Sequence, residues 1–348
     1  MDKKLTSNRS RGGKSIEKGL SDLSISKATT TKTTKTTTTK TTKTTGTINP
    51  RNSQYRKTLN KGGVFHHGYL NKSTNTRTHK PKNYDELMAR IKIARPESEF
   101  PAGDFERFEI ATFDATNEAA TMNEVIPYIE GKKEDGSKEK SDLLFVNTKS
   151  LVNGVSKLKP DKVWGALDQD LNTMVNEELS DLILPHGMYN IISPNFFLEV
   201  KGPDGTPAVA ESQALHGGAM GERGQVALRL WKVDNPTLDK VAHTFAVTYV
   251  YGHLSLFSVH SEPSQRGAGE FDYHMYKLNS YAITGDADQY RVGVTAYRNL
   301  YDYAKEIRDE SIQIANRRAE RIAKNKGKSK KCEFIVGHEN LLGVNMTS

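Results

Sequence analysis

Glu199 and Lys201 are the residues whose types and spacing suit phosphodiester chemistry. They lie in Asn195-Phe196-Phe197-Leu198-Glu199-Val200-Lys201. Alternation along a strand puts Phe196, Leu198 and Val200 on one face, toward a core, and Glu199 and Lys201 together on the other. A carboxylate there can hold Mg²⁺ or Mn²⁺, hard cations that prefer oxygen ligands and keep several waters. Such an ion acidifies a bound water and neutralises phosphate charge, while a lysine beside it orients the water or stabilises developing charge. One carboxylate does not make a metal site. Asp161, which follows Pro160 and precedes a β-like segment, is the expected second acid. Glu124, on the first helix of the body, is a further candidate metal ligand. Gln213 lies on the helix after the strand, and its amide can bond the lysine or a substrate phosphate.

These residues need a sheet with helices packed on it. The pattern predicts helices over 84–95 and 114–130, bent or ended early by Pro127, with 131–141 as a charged loop. Leu143–Val146 reads as a short strand, and Pro160–Gly165 as a turn into another. A helix is expected over Leu167–Leu184 and a strand over Ile191–Val200. The turn Gly202-Pro203-Asp204-Gly205 follows it. The next helix, Ala208–Trp231, is rich in glycine. Helix glycines are unfavourable by themselves, so they imply a backbone packed close to a neighbour. Thr244–Tyr251 and Leu254–His260 flank a hairpin turn at Gly252-His253. Tyr273–Leu278 reads as a strand and Ala287–Lys324 as a long amphipathic helix. The alternation indicates an α/β fold with a mixed sheet flanked by helices.

The set Pro160-Asp161, then Glu199-x-Lys201, then a helix carrying Gln213, resembles the PD-(D/E)XK nuclease superfamily. The longer stretch SPNFFLEVKGPDGTPAVAESQALHGGAMGERG, with NEVIPYIEG, PDKVWGAL, AVTYVYGHLSLFSVH, FDYHMYKLNSYAITG and GVTAYRNLYDYAKEIRDESI, is similar to a nuclease-like domain common in filamentous fungi. The resemblance covers roughly residues 117–316. It implies a restriction-endonuclease-like αβββαβ core. It also implies metal binding by Asp161 and Glu199, with the Val200 carbonyl as a further ligand, Lys201 as the catalytic lysine and Gln213 as an accessory. Glu124 corresponds to the acid of the first core helix, with Glu118 as its rival. One departure is the 38-residue gap from Asp161 to Glu199, spanned by a helix where many members have a hairpin.

Charge is unevenly distributed over the 348 residues, whose net is +8. Residues 1–83 carry +16, residues 84–316 carry −13 and residues 317–331 carry +7. Residues 29–47 are almost only Thr and Lys, with nothing apolar to offset chain entropy, so 1–83 is expected to be a disordered basic tail. The expected domain is 84–316, with 317–348 as a basic helix end and C-terminal tail. Basic tails of this kind suit nucleic acid, because each Lys can neutralise a phosphate. The run Lys326–Lys331 has the composition of a nuclear-import signal. No apolar run approaches the ~18 residues of a membrane helix, and the N-terminus lacks a signal-peptide core. An intracellular, membrane-free protein is therefore expected. The single Cys332 excludes an intramolecular disulfide and a cysteine zinc cluster. Gly217–Gly224 lacks the Lys-Ser/Thr of a P-loop. Two functions are compatible: a Mg²⁺-dependent nuclease, or a catalytically inactive nuclease-fold module whose acidic body repels polyanions.

Overall fold

The computed structural model describes residues 47–132, 138–267 and 269–342. In chain order come α1 (Tyr55–Lys61), β1 (Val64–Phe65), a small hairpin of β2 (Leu70–Asn71) and β3 (Thr76–Arg77), α2 (Tyr84–Arg90) and α3 (Asp104–Asp114). A helical run follows: α4 (Glu118–Ala120), a π turn (Thr121–Val125) and α5 (Ile126–Glu130). Then come β4 (Lys138–Ser141), β5 (Lys162–Ala166), α6 (Thr173–Ile183), β6 (Ile192–Lys201) and α7 (Pro207–Leu230). The chain continues through β7 (Ala242–Val250), β8 (His253–Pro263), β9 (Phe271–Ala282) and α8 (Ala287–Leu342).

The main sheet has the order β1-β9-β8-β7-β6-β5-β4. The β6–β7 and β1–β9 pairs are parallel and the others antiparallel, so the sheet is mixed. Parallel strands need a long crossover, and α7 supplies it between β6 and β7. β6 is buried along its whole length. Its even residues Phe196, Leu198 and Val200 enter a core with α2, α3, α5 and α8, while Phe197 enters a second core with α1 and α7. A third cluster joins α6, the end of α7 and α8 through Val175, Ile183, Leu228, Trp231, Ile312 and Ala315.

The glycines of α7 do what their type suggests. A Cβ at Gly221 would lie 2.6 Å from Phe197 Cε2 and 2.8 Å from the Pro194 carbonyl. Only the missing side chain lets the helix backbone settle on β6. The β7–β8 hairpin turns at Tyr251-Gly252, both with positive φ (41° and 83°), one residue earlier than the expected Gly252-His253. That geometry is the turn favoured by the right-handed strand twist.

Three expectations need correction. Residues 47–83 are not a tail: Tyr55, Leu59 and Val64 are buried, and β1 pairs with β9. Tyr55 and Leu59 lie one helical turn apart, and that apolar pair outweighs the surrounding Lys and Arg. Residues 1–46, including nearly all of the Thr/Lys run, lie outside the described residues. At the other end the folded body does not stop at residue 316: the expected helix runs past Lys324 to Leu342 as α8, with Ala319 buried and Ile322 packed in the third cluster. Finally, Leu143–Val146 is not a strand. The edge strand is β4, Lys-Glu-Lys-Ser, inside the expected charged loop. Charged residues are how a sheet edge avoids pairing with other chains. The helix α3 was not expected at all; it starts after Gly103, whose φ is 72°. Among the described residues, no helix is long and apolar enough to cross a membrane.

Candidate active site

Asp161 and Glu199 are brought together by strand register. Lys162 pairs with Leu198 in the antiparallel β5–β6 ladder. One step further places Asp161 opposite Glu199, on the face that alternation assigns to both, where opposed Cβ atoms lie about 5 Å apart. The helix α6 between β5 and β6 therefore lengthens the connection without displacing either acid. Asp161 Oδ2 accepts the Val200 backbone N–H at 2.7 Å and the Lys201 ammonium at 3.2 Å. Lys201 Nζ also donates to the Val200 carbonyl at 2.5 Å and pairs with Glu118 Oε2 at 3.1 Å.

Glu118 arrives through a close backbone approach. A Cβ at Gly202 would meet the Asn117 carbonyl carbon at 2.7 Å. Asn117 caps α4, accepting the Ala120 N–H at 2.9 Å. This seats Glu118 against the end of β6. The acid beside Lys201 is thus Glu118, the rival, and not Glu124. Glu124 falls in the π turn and is exposed. A π turn rotates the residues that follow it away from α-helical phase.

The face carrying Glu199 and Lys201 is covered. Glu199 is 0% exposed and Lys201 7%. α7 and α1 lie over it. Tyr55 Oη and His216 Nδ1 are 2.6 Å apart. Glu199 also raises the phenol of Tyr55, adding to the larger effect of burial. Neither carboxylate oxygen of Glu199 makes a well-formed hydrogen bond, although the Asp161 backbone N–H lies close enough to favour its charged form slightly, and the buried Gln213 Oε1 has no partner. Burial, and then the Asp161 charge, push the Glu199 carboxyl well above the usual carboxylate range; Lys201 opposes this. Asp161 is also raised, by burial, against the pull of Lys201 and the Val200 N–H.

Among the described residues, no group of three or more His, Cys, Asp or Glu side chains is arranged to hold a metal ion. A Mg²⁺ site does not demand three. That ion is commonly bound through one or two carboxylates, the rest of its shell being water and phosphate. The partnerless oxygens of Glu199 beside Asp161 fit that requirement. The histidines serve packing and charge pairing: His216 meets Tyr55, and His243 lies 3.0 Å from Glu222.

No curated protein and no solved structure matches the chain. A family model described as a domain of unknown function (DUF7924) matches residues 132–315. The matched span holds Asp161, Glu199, Lys201 and Gln213, while Glu118 and Glu124 precede it. Because it covers more than half of the 348 residues, this chain belongs to the DUF7924 family.

Proposed function

We propose that the protein hydrolyses phosphodiester bonds in DNA or RNA at Asp161, Glu199 and Lys201. The observation that carries the reading is Glu199: a fully buried carboxylate that no side-chain donor meets, with only the Asp161 backbone N–H near it and in no well-formed hydrogen bond, set beside a second carboxylate and an ammonium. Leaving such a group unpartnered costs stability, and a bound cation would remove that cost. Asp161 and Glu199 would hold Mg²⁺ or Mn²⁺, which supplies an acidified water and charge neutralisation at phosphorus. Lys201 holds its ammonium between Asp161, Glu118 and the Val200 carbonyl, ready to meet charge developing on a phosphate oxygen. Glu118, with a side chain 44% exposed, marks the open side of the cluster. The chain order α5, β4, β5, β6, α7, β7 supports the αβββαβ reading. Substrate attraction falls to basic elements such as Arg317, Arg321 and Lys324 on α8, because residues 84–316 carry −13. A nuclear location would suit such a substrate.

One observation favours a second reading, an inactive nuclease-fold interaction module. The Val200 carbonyl, a metal ligand in the superfamily it resembles, is engaged by Lys201. Cleavage of supercoiled plasmid and single-stranded RNA in Mg²⁺ or Mn²⁺ separates the two. Wild type should cut, and Glu199→Gln, Asp161→Asn and Lys201→Ala should not. Cutting by all four, or by none, would sink the hydrolase reading.

A further inference from the structure

On the opposite face of β5 lies a second feature that the Glu199 cluster does not use. Lys162 and Trp164 share this face by alternation. Here a cleft of about 960 Å³ opens between the end of α5, β4, β5 and α8. That volume lies within the usual range of small-molecule sites. Trp164, Tyr128, Tyr297 and Tyr301 line it. The Tyr297 hydroxyl is buried there without a hydrogen-bond partner, in a residue only 2% exposed. Buried tyrosine hydroxyls normally find partners, so this one is a polar contact held in reserve.

The charges around the cleft narrow the ligand class. Arg298 donates from Nε, Nη1 and Nη2 to the carbonyls of Ile129, Glu99 and Tyr128 at 2.9–3.1 Å. The missing side chain of Gly131 permits this, since a Cβ there would lie 2.6 Å from Arg298 Cζ. Arg95 is committed to Glu99, Asn299 and Asp302. Lys162 donates to Glu130 at 2.5 and 2.7 Å. Both arginines of the lining are therefore occupied, as is Lys162, which stands outside the lining; Lys132 is the third lining cation. Carboxylates outnumber cations along the lining, five to three, Lys132 included. An anionic ligand would be repelled. An aromatic wall with one buried hydroxyl and an acidic rim suits a planar, neutral or cationic heterocycle with polar edges.

We propose that this cleft binds a nucleoside-like heterocycle, its ring against the aromatic wall and a polar edge on the Tyr297 hydroxyl. The site is independent of phosphodiester hydrolysis, and Glu199→Gln leaves it intact. Trp164 is one of only two tryptophans. The other, Trp231, packs in a different cluster. In a Trp231→Phe background, indole fluorescence reports the cleft alone. Titration with the four ribonucleosides and with adenosine 5′-monophosphate, to millimolar concentration, tests the assignment. At least one nucleoside should quench the signal saturably. Adenosine should bind more tightly than its monophosphate. Tyr297→Phe should weaken nucleoside binding about fivefold, the worth of one hydrogen bond. That variant loses only a partnerless oxygen, so its thermal midpoint should not fall. No saturable quenching by any nucleoside would overturn the proposal. So would equal binding of the monophosphate, or an affinity unchanged by Tyr297→Phe.

Discussion

Two carboxylates are fully buried beside the same helix, and they are treated in opposite ways. Glu222, on the C-terminal half of α7, accepts the His243 backbone N–H at 3.1 Å, lies 3.0 Å from His243 Nδ1 and accepts Ser261 Oγ at 3.5 Å. His243 in turn reaches Asp239 at 3.2 Å. Glu199, facing the N-terminal half of α7, has no side-chain donor and only the Asp161 backbone N–H near it, in no well-formed hydrogen bond. The fold is thus able to satisfy a buried carboxylate from three directions. That it does so for Glu222 and not for Glu199 separates a structural charge from one kept for a ligand.

The largest expected effect tests the satisfied member. Glu222→Ala leaves the His243 imidazole buried without its main partner, and breaking such a pair costs about 3–5 kcal/mol. Urea denaturation measures it. A loss below about 1 kcal/mol would put Glu222 on the same footing as Glu199 and dissolve the contrast.

The histidines sharpen the comparison through pH. Burial pushes His243 down, but Glu222 and Asp239 outweigh it and raise the imidazole from 6.5 to about 9. Its contribution is complete below 6.5 and lost as pH rises toward 9. His216, at the other end, is lowered to about 4 by burial and then by Arg223. Its contribution is complete above 6.5 and lost as pH falls toward 4. Each shift is worth on the order of 2–3 kcal/mol. Denaturation midpoints from pH 4 to 10 should therefore flatten on the alkaline side in His243→Gln and on the acid side in His216→Gln. The same side flattening in both would contradict the assigned signs.

The smallest effect has an unusual sign. Glu199→Gln should stabilise the metal-free protein at pH 8 by about 1 kcal/mol or more, because an unpartnered buried charge is removed. The raised Glu199 carboxyl costs stability progressively as pH climbs above the ordinary glutamate value. The benefit should therefore shrink toward pH 4. A destabilised variant at pH 8 would mean that the Asp161 backbone N–H and Lys201 together satisfy the Glu199 carboxylate.

Much of this was legible from residue order. β6, α7, the β7–β8 hairpin and α8 carry clean periodicity or turn chemistry; the first three form close to their expected bounds, and α8 starts at the expected Ala287 but runs past Lys324 to Leu342. Asp161, Glu199 and Lys201 converge as their types suggested. What was hidden depended on tertiary contacts. α1 and β1 were masked by a basic composition continuous with the Thr/Lys run. β4 is a charged edge strand with no apolar alternation to betray it. The choice of Glu118 over Glu124 rests on a π turn and on the Asn117–Gly202 approach, neither of which leaves a spacing signal. The aromatic cleft draws on five separated segments. Burial of the Glu199 face depends on α1 and α7, which alternation along β6 does not report.

Calorimetric titration of the full chain with Mn²⁺, wild type against Glu199→Gln, tests the central claim most directly. Glu199→Gln is expected to be the more stable protein, so unfolding cannot mimic a lost site. The account predicts one saturable site in wild type and none in Glu199→Gln. No binding in wild type, or equal binding in both, would contradict it.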